Sequence, residues 1–296
     1  MHSRYPQKLT LKLGVLASLL GGCLGTAGCT SDTADEIGSM EDDLKAGGNP
    51  KWIYDGPMPS LKDVSIVVSL KGHTARVTGT LPSTFTGSLP WYAKTATTAG
   101  VTKVTVVYPV ATGASASNNG PGVYTTIFGL AYVTTTSKAA WGGFPFLEYN
   151  AKRGLAFHGP ITAKDGEWKL IRGPVSHGCN RMQGEHVVEL AKILGIDMGV
   201  PHKASEQFTI KAKVSVIQDW DSVDGKYVDV NYPALSTVKR PPAAQSTVFP
   251  TWASQDLPRM VCEWNASLWT TDPVKNKTHC NYKPANKFDP LAGPKP

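Results

Sequence analysis

The order of apolar and polar positions along this 296-residue chain predicts a protein built mostly of strands. Val64-Ser-Ile-Val-Val-Ser-Leu70 alternates, turns at Lys71-Gly72 and resumes as Thr74-Ala-Arg-Val-Thr78, which is the pattern of a hairpin. Val104-Thr-Val-Val-Tyr108 is a β-branched run suited to a buried strand. Strand signal continues in residues 123–136, 144–149 and 154–157, and residues 208–217 alternate as a half-exposed strand does. One stretch has clear helical spacing. Val187, Leu190, Ala191 and Leu194 stand at i, i+3, i+4 and i+7 with Gly195 as a stop, predicting a helix over residues 183–194.

Composition sharpens this picture. Hydrophobic residues at 41% and charged residues at 18% exclude a wholly disordered chain, and 29 Gly with 22 Pro in no fixed period indicate many turns. Charge is unevenly spread. Arg4, Lys8 and Lys12 precede the apolar run of residues 13–20 and then small residues. This is the form of a secretory signal, assigned to residues 1–28, and it is too short for a confident transmembrane helix. Leu20-Gly-Gly-Cys23 and Thr26-Ala-Gly-Cys29 each look like the site where a bacterial lipoprotein is cut and acylated. Cys29 is the expected lipidated residue because polar residues follow it, with Cys23 as the alternative. Residues 29–50, with six acids against Lys45, read as a flexible tether. Residues 51–232 form the main body, residues 233–250 with Pro241-Pro-Ala-Ala a linker, and residues 251–296 a small C-terminal extension.

Four of the 30 bases and six of the 23 acids precede Lys51, so the rest of the chain holds 26 bases and 17 acids, a balance of +9. Such a surface suits an anionic partner, although a merely soluble basic surface is the plainer reading. Neither a zinc finger nor an aromatic RNA-binding signature is present, so nucleic acid is not expected.

Beyond the signal the cysteines are Cys179, Cys262 and Cys280. Export favours disulfides, and Cys262 with Cys280 encloses a short loop whose closure would contribute about 3 kcal/mol. Cys179 is then the odd thiol, set in Val175-Ser-His-Gly-Cys-Asn-Arg-Met182. A free thiol has a pKa near ~8.5, so an imidazole that takes its proton makes it a nucleophile. Gly178 allows a tight turn that aims consecutive N–H groups at one point, as an oxyanion hole requires. Upstream, Phe157-His-Gly-Pro160 puts His158 at a strand end, a rigid mount for a base.

His158-Gly159, a spacer and Ser176-His-Gly-Cys-Asn-Arg-Met182 together resemble the L,D-transpeptidase signature of the YkuD type. Tyr108-Pro-Val-Ala-Thr-Gly113 and Pro121-Gly-Val-Tyr124 extend the resemblance over about residues 63–218. It implies a mainly β, L,D-transpeptidase-like β-sandwich with one main helix after the nucleophile, followed by the disulfide-bearing C-terminal region. In that reading Cys179 is the nucleophile and His158 the proton donor and acceptor. The carbonyl of Gly159 orients His158, backbone amides of His177, Gly178 and Cys179 form the oxyanion hole, and Ser176 and Arg181 shape the site. The implied substrate is a peptidoglycan stem peptide, cut with release of terminal D-Ala and passed to an amine. No metal or cofactor is implied, a monomer is expected, and the location is the cell envelope with a lipid anchor in the membrane. Hydrolysis by the same fold and non-catalytic wall binding are the alternatives; papain-like peptidases usually place Cys before His, the reverse of this chain.

Asn180 departs from the pattern, which has an apolar residue there. The spacer residues Lys164-Asp-Gly-Glu167 look like a hairpin turn. His73, His186 and His202 belong to no motif and are expected at the surface. Trp141-Gly-Gly143 and Tyr149 fit either a lid or ordinary packing.

Overall fold

The structure is a computed structural model and describes residues 50–54, 56–114, 118–131, 144–159, 170–200, 202, 206–251 and 259–262. The signal, both lipidation candidates, nearly all of the tether, residues 141–143 and 164–167, and the Cys262–Cys280 pairing lie outside the described residues.

The predicted hairpin forms as β2 (Lys62–Ser69) and β3 (Thr74–Thr80), following β1 (Pro50–Ile53). Its alternation works as expected: Val64, Ile66 and Val68 on β2 and Ala75 and Val77 on β3 all point into the core. Next come β4 (Lys94–Thr98), β5 (Val101–Pro109), β6 (Ala111–Gly113) and β7 (Gly122–Leu130). On β5, Val106 and Tyr108 bury in the main core while Val107 buries in a second one, so the unbroken apolar run reflects cover on both faces. β8 (Phe146–Asn150), β9 (Leu155–His158), β10 (Gly173–Ser176) and β11 (Asn180–Arg181) lead to α1 (Gly184–Ile193), and β12 (Gln207–Ile217) returns to the sheet.

Eleven of these strands make one mixed sheet in the order β10-β6-β11-β9-β8-β7-β12-β2-β3-β5-β4. α1 matches the predicted helix, with Gln183 and Leu194 at its caps. Its C-terminal carbonyls are taken up by the segment before β2, through Leu61 N–H to the Ile193 carbonyl at 2.9 Å and the Ser60 hydroxyl to the Lys192 carbonyl at 2.9 Å.

Residues 233–250 were expected to be a linker. Instead they carry a single 3-10 turn at Ala243–Gln245 and β15 (Ser246–Phe249). β15 pairs parallel with β14 (Lys226–Val230), which pairs with β13 (Ser222–Val223). The signal was hidden because Pro241-Pro-Ala-Ala precedes a strand of only four residues. Phe249 buries with Val107, Ala111, Val228 and Val230 in the second core. Finally β16 (Arg259–Cys262) runs antiparallel to β1, bringing Cys262 opposite Pro50.

His73, His186 and His202 are buried, not at the surface, being 6%, 1% and 8% exposed. Each has found a polar partner far away in sequence or in a loop. His73 Nδ1 is 2.9 Å from the Thr112 hydroxyl, His186 Nε2 is 3.2 Å from the Thr251 hydroxyl, and His202 contacts Glu206 and the Asp197 carbonyl.

Candidate active site

The site is assembled by strand register. β9 and β11 lie side by side in parallel, with Asn180 opposite Phe157 and Arg181 opposite His158. This brings His158 beside the strand that leaves the Ser-His-Gly-Cys turn. Cys179 comes just before β11 and is 1% exposed. Its Sγ accepts the backbone N–H of Ala156 at 3.3 Å and lies 3.4 Å from the Gly154 carbonyl oxygen. An N–H aimed at sulfur stabilises negative charge there. Cys179 is disulfide-bonded in this structure, whereas the sequence left it as the odd thiol. Its reactive form therefore requires reduction.

His158 is 1% exposed at the end of β9. Its Nδ1 is 2.6 Å from the carbonyl oxygen of Gly159. A carbonyl only accepts, so Nδ1 carries the hydrogen and Nε2 keeps the lone pair of the neutral ring. Burial first, and then the charge of Arg181, push the His158 pKa down to about 3, against a smaller opposing effect of the Gly159 carbonyl. The ring is thus a neutral base at pH 7. Arg181 acts on this base through its charge, which adds a physical content to the shaping role expected of it.

Ser176 ties the nucleophile turn together. Its hydroxyl donates to the Cys179 carbonyl at 2.5 Å and accepts the Gly178 N–H at 3.0 Å. The Gly178 amide is therefore turned onto Ser176, not held open for an oxyanion as expected. Gly178 has φ +148°, and a Cβ there would lie 2.7 Å from the Asn118 carbonyl oxygen, so only glycine fits. His177 is exposed at the rim of this turn. Gly159 is required for a different reason, since a Cβ would stand 2.4 Å from the Phe144 ring.

One supporting residue escaped the sequence reading, and a second had been left between lid and packing. Asn119, 4% exposed, accepts the Gly113 N–H at 2.6 Å and donates to the Gly113 carbonyl at 3.0 Å, holding β6 against the Gly178 turn. Its only sequence signal was membership of the Gly- and Asn-rich loop before Pro121. Tyr149 is a core residue and not a lid. It is 3% exposed, packs on Tyr124 and Phe157, and its hydroxyl receives the Asn180 amide at 3.0 Å. That bond satisfies the polar group that stands where the motif has an apolar one.

The domain is mainly β, with His158 at the end of one strand and Cys179 just before the strand that pairs with it. The profile of the YkuD family, the L,D-transpeptidase catalytic domain, matches residues 63–215, and the chain belongs to that family. No curated protein matches the sequence. Among solved structures the chain is similar to Bd1075 of Bdellovibrio bacteriovorus, at 13% identity and a TM-score of 0.32, covering 60% of this chain and 54% of that one. It is also similar to a fused Zn-dependent amidase/peptidase/peptidoglycan-binding domain-containing protein of Clostridium acetobutylicum, at 11% identity and a TM-score of 0.26, covering 64% and 66% respectively. The chain thus spans less than two thirds of either structure's length.

Proposed function

We propose that this protein is a peptidoglycan L,D-transpeptidase, exported and lipid-anchored through Cys29, that works by a cysteine acyl-enzyme. The observation that carries the reading is the neutral His158, its Nδ1–H fixed on the Gly159 carbonyl, in the strand beside Cys179. In the reduced protein His158 Nε2 takes the thiol proton as sulfur attacks the carbonyl carbon of the stem-peptide bond before the terminal D-Ala. The tetrahedral intermediate collapses, the imidazolium gives its proton to the departing D-Ala amine, and a thioester on Cys179 remains. An acceptor amine then attacks the thioester and loses a proton to His158, restoring the thiol and leaving the new amide. The Ala156 N–H steadies the sulfur whenever it carries charge. With water as acceptor the same site is a carboxypeptidase.

The test is mass spectrometry of muropeptides incubated with purified protein under reducing conditions. Wild type is expected to form a thioester adduct, release D-Ala and yield 3→3 cross-links. Cys179→Ala should lose all three, and His158→Ala should lose at least 100-fold in rate, the scale of a removed general base. The two losses should not add, because both residues serve one step. Turnover by Cys179→Ala would sink the reading, and D-Ala release without cross-links would move it to hydrolysis.

A further inference from the structure

A cavity of about 640 Å³ opens between the β2–β3 turn and the C-terminal strands, on residues that the Cys179 chemistry does not use. Trp220 and Tyr227 form an aromatic corner in it, with ring centroids 6.1 Å apart and planes at 50°. Trp220 rests over Gly72, where a Cβ would come within 3.2 Å of the indole, so the ring is seated and not loose. Tyr227 is 37% exposed.

The charge around this corner is unbalanced. Arg172 and Arg240 share one carboxylate, that of Asp229, at 2.7 and 2.5 Å, so among the described residues that cluster keeps one unneutralised positive charge. Lys239 lines the cavity and makes no ion pair among the described residues, adding a second. Lys71 is matched by Asp219 at 2.9 Å and adds nothing net. Thr237 and Gln245 supply neutral hydrogen-bonding groups on the same wall.

We propose that this cavity binds an acidic saccharide of the cell envelope. Negative ring faces attract the polarised C–H face of a pyranose, and an open cationic edge beside them selects a sugar that carries a carboxylate or phosphate. The volume falls in the range of small-ligand sites and holds one or two sugar rings. Pro174 lines the cavity and lies two residues before Ser176 on β10, so a bound polymer would run past the strand that leads to the nucleophile turn. The cavity would keep the enzyme on the polymer between reactions. This site does not depend on Cys179 being a nucleophile, and the two readings fail separately.

The experiment is titration calorimetry on the full chain and on its Cys179→Ala form with three probes. These are peptide-free glycan strands bearing lactyl carboxylates, a phosphate-linked sugar polymer, and neutral N-acetylglucosamine oligomers. Both proteins should bind at least one acidic probe about tenfold more tightly than the neutral one, with affinity falling as salt rises. Which acidic probe binds identifies the source. Lys239→Glu should weaken that binding about tenfold while leaving D-Ala release from a small soluble stem peptide unchanged. Trp220→Ala should weaken it too, and Tyr227→Ala serves if the tryptophan variant does not fold. Equal binding of acidic and neutral probes, no binding by folded wild type, or unchanged binding by folded Lys239→Glu would overturn the proposal.

Discussion

Asn180 shows how a single residue that breaks a pattern is accommodated. Its side chain is 1% exposed, and its amide donates to the Tyr149 hydroxyl, whose own pKa burial raises. Asn180→Leu should therefore cost about 1–3 kcal/mol, since it strands a buried hydroxyl. Tyr149→Phe strands the amide at similar cost. The double variant should lose less than the sum of the two, because removing both partners leaves no unsatisfied group. Urea unfolding of the three variants checks this, and strictly additive losses would show that the pair is not coupled. His158 gives a second expectation at this scale. With its pKa held at about 3, the ring does not need to lose a proton near neutrality, so the acid limb of kcat/KM should lie below the ordinary histidine value of ~6.5. A limb centred at the ordinary value, measured from pH 4 to 8 on reduced protein, would contradict the buried neutral base. The contact of His158 with the Gly159 carbonyl was legible because both residues stand in one contiguous motif. Asn119 and the Asn180–Tyr149 bond were not, because each partner belongs to another element, and no local rule connects them.

Among elements, α1 was the most legible and the most incompletely read. Its apolar stripe gave the boundaries to within a residue, but Glu185, His186 and Glu189 on the remaining faces are buried as well. Glu189 is 0% exposed and accepts hydroxyl hydrogens from Tyr54 at 2.8 Å, Tyr108 at 2.6 Å and Tyr92. Burial first, and then the Glu189 charge, raise all three tyrosine pKa values far above the usual phenol. A charged residue on a helix ordinarily marks a wet face, so the pattern alone pointed the wrong way; three tyrosines from distant segments overturn it. Glu189→Ala removes the acceptor from three buried hydroxyls and should destabilise by at least about 3 kcal/mol, at about 1 kcal/mol or more for each stranded group. Denaturant unfolding tests this, and a loss under about 1 kcal/mol would mean that the hydroxyls find other partners. The short strands β6, β10 and β11 were missed for a related reason. They have two to four residues each, too few to show a period, and are specified by what they pair with.

For the whole molecule, the β-rich class was plain in the sequence, while the joining of its parts was not. The second core, the β1–β16 pairing and the Arg172 clamp all rest on contacts across long stretches of chain. Arg172 is 1% exposed and donates to the carbonyls of Gly72, His73, Val230 and Tyr232 as well as to Asp229, pinning the β2–β3 turn to β14. His73 sits in that joint, and burial followed by the Arg172 charge pushes its pKa down to about 4. His158 is pushed to about 3 at the other junction, between β9 and β11. Both histidines are neutral in the fold and have the ordinary value of ~6.5 when unfolded, so between those limits the unfolded chain binds more protons. Their contribution to stability is complete above pH ~6.5 and is lost as pH falls toward 4 for His73 and 3 for His158. The His158 share has a ceiling of roughly 5 kcal/mol, from its shift at about 1.4 kcal/mol per pH unit. Unfolding free energy measured in urea should therefore decline between pH 6.5 and 4, and His73→Gln should flatten the upper part of that decline. A wild-type curve level across this range would show that neither histidine is held neutral by the fold.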